Sequence, residues 1–328
     1  MQVPRKERGA ALLAVLLLVS VMGALAVTAL ERLRLSTALA VNNAALDQAR
    51  AFAIGVESLL ALKADDVIAM DAEKTTLAGG WNGQTQRIPM PGGGLVDATI
   101  RDGGNCFNIN SVAEGRVPTA LTPRSAGVDQ FAALLRILEV PDLDARRIAE
   151  AAGDWVDADM NRSRAGAEDP DYGGRERGYR AGNTLFAEVS ELRAVAGMTP
   201  EIYARVRPWL CALPMAELSP INVNTLSPDQ APLLAMLAPE QIPVQRARQL
   251  LADRPAAGWG YMIDFWRSPA LQGVNLPIDV QSQPQLRTRW FALDLRVELQ
   301  GAELEESALL DARVAPARVV LRRWGSDD

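Results

Sequence analysis

The feature that most constrains this chain is an uncharged run close to its start. Arg5, Lys6, Glu7 and Arg8 form a short segment of net charge +2, Gly9 follows, and residues Ala10–Leu30 carry no charge. As a helix those 21 residues would be about 31 Å long, enough to cross the hydrocarbon core of a bilayer. Basic residues before the run and acids after it orient the segment with its N-terminus in the cytoplasm and the remainder outside.

Helical periodicity does not stop at the membrane boundary. Leu35, Leu39, Leu46, Ala49, Phe52, Ala53, Val56, Leu59 and Leu60 recur at helical spacing with few breakers between them. The expectation is one long helix over residues 10–62, of which 10–30 span the membrane. Its first half is apolar all round and its second half amphipathic.

Composition removes most catalytic readings. The 328 residues contain no histidine, which excludes Ser-His-Asp and Cys-His pairs as well as His-bearing zinc and haem sites. Cys106 and Cys211 alone cannot build a four-thiolate metal site, and none of Lys6, Lys63 and Lys74 sits in a phosphate-binding glycine loop. A formal charge of −6, with arginines interleaved among acids, argues against a nucleic-acid partner. The chain reads as a non-enzyme.

Beyond the long helix, Gly79-Gly80, Asn82-Gly83 and Pro91-Gly92-Gly93-Gly94 mark loops, and Leu95–Arg101 alternates as a strand does. Phe291, Leu293, Leu295, Val297 and Leu299 give the clearest half-buried strand, with a second expected over residues 318–323. The middle carries helix signals only. Phe131, Leu134, Leu135 and Leu138 hold a helical stripe ended by Pro141, Asp142 is placed to cap the next helix, and Thr199-Pro200-Glu201 and Ser227-Pro228-Asp229-Gln230 open two more. Two N-x-N-[ST] segments, Asn108-Ile109-Asn110-Ser111 and Asn222-Val223-Asn224-Thr225, read as turn-holding asparagines. The expected class is α+β, a long N-terminal helix with an antiparallel sheet and a large inserted all-α domain. The sheet part occupies residues 63–112 and 286–328, and the helical insert residues 113–285.

Taken in order, these motifs resemble a known family. The stretch Arg8–Val19 resembles a type IV prepilin leader, residues 1–9, cut between Gly9 and Ala10 so that the helix remains in the mature protein. A secretory signal cut after Ala38-Leu39-Ala40 and an uncut anchor are the alternatives, the first weakened by Glu31, Arg32 and Arg34. Cys106-Phe107-Asn108-Ile109-Asn110, Asp154-Trp155-Val156-Asp157-Ala158-Asp159, Gly166-Ala167-Glu168-Asp169, Tyr179-Arg180-Ala181-Gly182-Asn183, Ser190-Glu191-Leu192-Arg193 and Ile221-Asn222-Val223-Asn224-Thr225 extend the resemblance along nearly the whole chain. The family is that of the minor pseudopilin K of bacterial type II secretion systems. Its members imply a pilin-like fold, a single-pass inner-membrane protein with a periplasmic globular part, and a place at the pseudopilus tip. The implied partners are the other minor pseudopilins, a prepilin peptidase that also methylates the new N-terminus, and secreted cargo. Ala14 stands at the fifth mature position, where most pilins carry Glu. A subunit without that glutamate fits best with nothing above it.

The acidic middle is the one constellation that points to a ligand. Asp157, Asp159 and Asn161 are spaced i, i+2, i+4 as in oxygen-ligand cation loops, with Glu168, Asp169 and Asp171 downstream. The resemblance implies calcium in the helical domain without assigning individual ligands; a solvated acidic loop is the alternative. In an oxidising compartment Cys106 and Cys211 are expected to pair, two buried thiols being the alternative. Two rival functions remain: a membrane-anchored DNA-uptake minor pilin with helix–hairpin–helix units, which needs a basic face, and a hydrolase using an acidic pair.

Overall fold

The computed structural model describes residues 5–174 and 178–325. The first four residues of the expected leader and the last three of the expected C-terminal part lie outside these. One unbroken helix, α1 (Arg5–Ala69), dominates the N-terminal part. It runs past the expected end at 62 because Ala64 and Val67 extend the apolar face, and both are buried against the sheet. Its first half makes no such contact. An 18-residue window there reaches a mean hydropathy of 2.7 with none of it buried, in the only helix among the described residues long and apolar enough to cross a membrane.

Five antiparallel strands form the sheet: β1 (Thr85–Met90), β2 (Gly94–Asp102), β3 (Trp290–Leu299), β4 (Ala302–Asp311) and β5 (Arg318–Trp324), in that spatial order. The pairing of β2 with β3, Leu95 opposite Glu298 through Asp102 opposite Phe291, closes the sheet across the inserted chain. Val96, Ala98, Ile100, Leu293, Leu295, Val297, Leu304 and Leu310 point to one face, where they bury Ala49, Ala53, Val56, Leu60 and Ala64 of α1. β1 and β4 are absent from the alternation reading. β1 contains Pro89 and sits at an edge. β4, Ala-Glu-Leu-Glu-Glu-Ser-Ala-Leu-Leu-Asp, has helix-forming composition, yet a two-residue turn with Gln300 at φ 50° and Gly301 at φ 85° folds it back onto β3.

The insert departs after Asp102 and returns at Trp290, so Phe107, Ile109 and Val112, expected with the sheet part, are buried in the helical core instead. That core is built on α2 (Ser125–Ile137) and α3 (Asp142–Val156), with Phe107 stacked on Phe131 at 4.9 Å. Asp142 is the first residue of α3 and makes no side-chain cap; Pro141 holds the cap position. Thr199 does cap the helix Pro200–Val206, accepting from the Ile202 N–H. The middle is also not free of strands: Phe107–Asn108 pairs in parallel with Leu210–Cys211, and Ile221–Asn222 with Pro284–Gln285. Each N-x-N segment thus opens a lobe that a short parallel pair closes. Gln130 and Gln283 join the lobes through a buried reciprocal amide pair, 2.6 and 3.2 Å.

The direction of the sheet fixes where this domain sits. The β3–β4 turn at Gln300 lies beside Leu30, Val41 and Ala45 of α1, while Asp102 and Trp290 occupy the opposite end of their strands. The helical domain therefore rises from the end of the sheet remote from the apolar half of α1.

Candidate metal centre and the joint that carries it

At the end of α3 the chain brings several acids together. Asp154 lies in the last turn, and Asp157 follows in extended conformation, anchored by the Ala158 N–H donating to the Leu121 carbonyl at 3.0 Å. Glu168 precedes a five-residue helix, Asp169–Gly173. One carboxylate oxygen from each of Asp157, Asp159 and Glu168 lies within 4.8 Å of the others.

Burial makes this arrangement costly. Asp157 is 1% and Glu168 2% exposed, and among the described residues no side-chain donor reaches either carboxylate. Asp154 Oδ1 and Asn183 Oδ1 are likewise buried without partners, although Asp154 Oδ2 accepts from the Ser163 N–H at 3.0 Å. Burial first, then the charges of Asp159, Glu168 and Asp154, pushes Asp157 up to about 7. Burial and the Asp154 charge do the same to Glu168. Clustered, desolvated acceptors without donors are the inverse of what a folded chain tolerates. A hard divalent cation would offset such a cluster. With no histidine in the chain and both cysteines bonded to each other, the donor set is all oxygen, which fits calcium and excludes soft metals.

The expected ligand residues divide. Asp157, Asp159 and Glu168 converge. Asp169 Oδ1 instead accepts from the Ala181 N–H at 2.9 Å, Asp171 Oδ2 accepts from the Glu168 N–H at 3.0 Å, and Asp171 Oδ1 pairs with Arg162 at 3.2 Å. Asn161 is exposed and donates its backbone N–H to Asp159 at 2.6 Å. These three hold the loop around the cluster. Asp154, whose charge bears on both Asp157 and Glu168, is the acid missing from the expected set. Asp154 precedes Asp157 by three residues at a helix end, a spacing that puts both on one side. Gly166 is required there, since a Cβ would lie 1.9 Å from Asp154 Oδ2.

A second buried acid stands at the root of the domain, under different terms. Asp102 Oδ2 accepts the hydroxyls of Thr225 at 2.6 Å and Thr288 at 2.5 Å, and Oδ1 accepts the Gly104 N–H at 2.9 Å. Asn222 Nδ2 donates to Thr288 Oγ1 and to the Thr75 carbonyl, tying the loop after α1 into the same joint. In the first lobe Asn108 Oδ1 accepts from Asn110 and Leu213, and Asn110 brackets Phe186 through its carbonyl and N–H. Both asparagine pairs are structural, as their sequence context implied. The disulfide Cys106–Cys211, 105 residues apart with Cα atoms 5.8 Å apart, closes the first lobe beside its parallel pair.

At the N-terminus, Gly9 and Ala10 are consecutive residues of α1, and Ala10 and Ala14 are exposed on it.

A long helix that leaves an unburied apolar segment to pack on an antiparallel sheet, with a helical domain at the sheet's far end, defines a pilin-like subunit enlarged by insertion. Family models described as type II secretion system (T2SS), protein K match residues 105–215 and 221–287. A type II secretion system protein K of Klebsiella pneumoniae is 36% identical over 98% of this chain and 97% of its own length. That of Pectobacterium carotovorum is 32% identical over 98% and 97%. In the crystal structure of the GspK-GspI-GspJ complex from enterotoxigenic Escherichia coli, a chain superposes with a TM-score of 0.73 at 30% identity, covering 86% of this chain and 97% of that one. The chain belongs to the type II secretion system protein K family, the minor pseudopilins its sequence resembles.

Proposed function

We propose that this chain sits at the tip of the type II secretion pseudopilus and, with I- and J-type minor pseudopilins, starts its assembly for export of folded proteins. The observation that carries this reading is the position of the helical domain. It crowns the end of the sheet remote from the membrane-spanning half of α1, where it would obstruct a subunit stacked above. Ala14 agrees with that placement, because no glutamate is present to neutralise the terminal amine of a neighbour within an apolar core. That the similar structure is a GspK-GspI-GspJ complex supports the choice of partners.

In this reading a prepilin peptidase cuts between Gly9 and Ala10 and methylates the new amine. The apolar half of α1 stores the subunit in the inner membrane, and the globular part works in the periplasm, where it meets cargo. The chain acts by shape and contact, without turnover. Calcium, held by Asp157, Asp159 and Glu168 with Asp154 beside them, supplies the countercharge that keeps the α3 loop folded.

The decisive experiment is intact-mass and N-terminal analysis of the membrane-extracted chain, followed by co-purification with the I- and J-type subunits. A methylated chain starting at Ala10 that captures both is the expected result. An uncut Met1, or a start near Val41, sinks the prepilin assignment, and a processed chain that captures neither sinks the tip complex.

A further inference from the structure

A third buried acidic group, far from the metal cluster, joins α1 to the C-terminal strands. Glu57 of α1 and Glu306 of β4 are each 3% exposed. Arg322 of β5 reaches both. Its Nη2 and Nε donate to the two oxygens of Glu57 at 2.6 and 2.7 Å, and Nε lies 3.1 Å from Glu306 Oε1. Glu306 Oε2 is buried with no partner. The remaining surroundings are apolar: Leu304 and Ala308 flank it on β4, Leu295 stands opposite on β3, Trp324 opposite on β5, and Val56 and Leu60 lie beside Glu57 on α1. On α1 the charges nearest to Glu57 in sequence are Lys63, Arg50 and Asp65; Arg50 pairs with Asp47, and Asp65 accepts the Ala317 N–H. Among the described residues, the charged groups acting on Glu306 are therefore Glu57 and Arg322.

Two carboxylates against one guanidinium leave a net negative charge in an apolar layer, and nothing else among the described residues neutralises it. One proton does. Because the Arg322 fork is spent on Glu57 and Glu306 Oε2 has no partner, we infer that Glu306 holds that proton beneath Arg322, making a clamp that fastens the long helix to the C-terminal hairpin fully only while the proton is bound. The site follows from this chain's own geometry and is independent of which partners the subunit meets. Burial, with the adjacent Glu57, pushes Glu306 up to about 7. A carboxyl raised in the folded state stabilises fully below its unfolded value, and that contribution disappears as pH rises through about 7. The clamp is thus tight on the acid side of neutrality and loosened on the alkaline side, at the element that links membrane anchor to sheet.

Glu306→Gln reproduces the protonated shape without the proton. Thermal unfolding of the full chain in detergent with saturating calcium is measured from about pH 5.5 to about pH 8.5 for both forms. The wild-type midpoint is expected to fall by several degrees more than that of the variant, which becomes the more stable of the two at the alkaline end. Parallel profiles, or a variant weaker at every pH, would overturn the proposal. Should the variant fail to fold, isotope-edited infrared spectra of wild-type chain with 13C-labelled glutamate decide the matter, run with and without calcium. One buried protonated glutamate that calcium does not remove, present at about pH 6 and lost by about pH 8.5, is expected; its absence refutes the protonated Glu306.

Discussion

Asp102, Asp157 and Glu168 are all buried acids, and the fold treats the first and the other two in opposite ways. Around Asp102 the chain supplies two hydroxyls and a backbone N–H, so the carboxylate is satisfied from within and the joint between sheet and helical domain is permanent. Around Asp157 and Glu168 the described residues supply no side-chain donor, and the charges of Asp154 and Asp159 bear on the same place. Burial raises both Asp102 and Asp157, but only the second is also opposed by like charges. A buried acid met by donors is a fixed structural point; one met by acids is a site whose folding depends on something brought in.

The sharpest way to break this contrast is to withdraw divalent cations. Chelation should lower stability by about 4 kcal/mol when free calcium had been about a thousandfold above its dissociation constant, a melting shift of roughly 10 °C that added calcium reverses. A chain whose melting ignores both chelator and calcium removes the metal from the comparison. Asp102→Ala strands the Thr225 and Thr288 hydroxyls and should cost about 2–3 kcal/mol. That loss should be the same with and without chelator; a loss that calcium rescues would mean the two regions are one coupled unit.

Calcium affinity should depend on pH in a defined direction. Protons and the cation compete for Asp157 and Glu168, both pushed up to about 7. Calorimetric titration should therefore show affinity falling about tenfold per pH unit below neutrality for each proton displaced, with a plateau on the alkaline side. The smallest effect belongs to Asn161→Ala, whose side chain is exposed and whose contribution is a backbone N–H that the substitution keeps. Its stability should change by no more than about 0.5 kcal/mol, and its calcium affinity should match wild type. A large loss at this position would place its amide in the cluster after all.

Legibility from sequence tracked the range of the interactions. Periodic apolar spacing announced α1 and the Trp290–Leu299 strand because each side chain's burial depends on a repeat within one element. The strand Ala302–Asp311 was illegible, since its composition favours helix and only the Gln300-Gly301 turn and the partner strand settle it. In the acidic segment spacing singled out Asp157, Asp159 and Asn161, with Glu168, Asp169 and Asp171 downstream; Asn161 stays outside the cluster and Glu168 joins it. Spacing could not separate Glu168 from Asp169 and Asp171, which lie as close in sequence but spend their oxygens on Ala181, Glu168 and Arg162. The acceptor it passed over, Asp154, was visible only as part of a motif.

What the sequence by itself determined is therefore local: a membrane-length apolar helix, the residue types that exclude soft-metal and histidine chemistry, the capping boxes and asparagine turns, and the candidate acids. Tertiary structure alone decided that Cys106 meets Cys211, that the helical domain rises from the membrane-distal end of the sheet, and which acids share a buried space without donors. The physical reason is that charge and hydropathy are properties of a residue and its near neighbours. Desolvation and the supply of hydrogen-bond partners are properties of a place, and places are made only when distant segments pack.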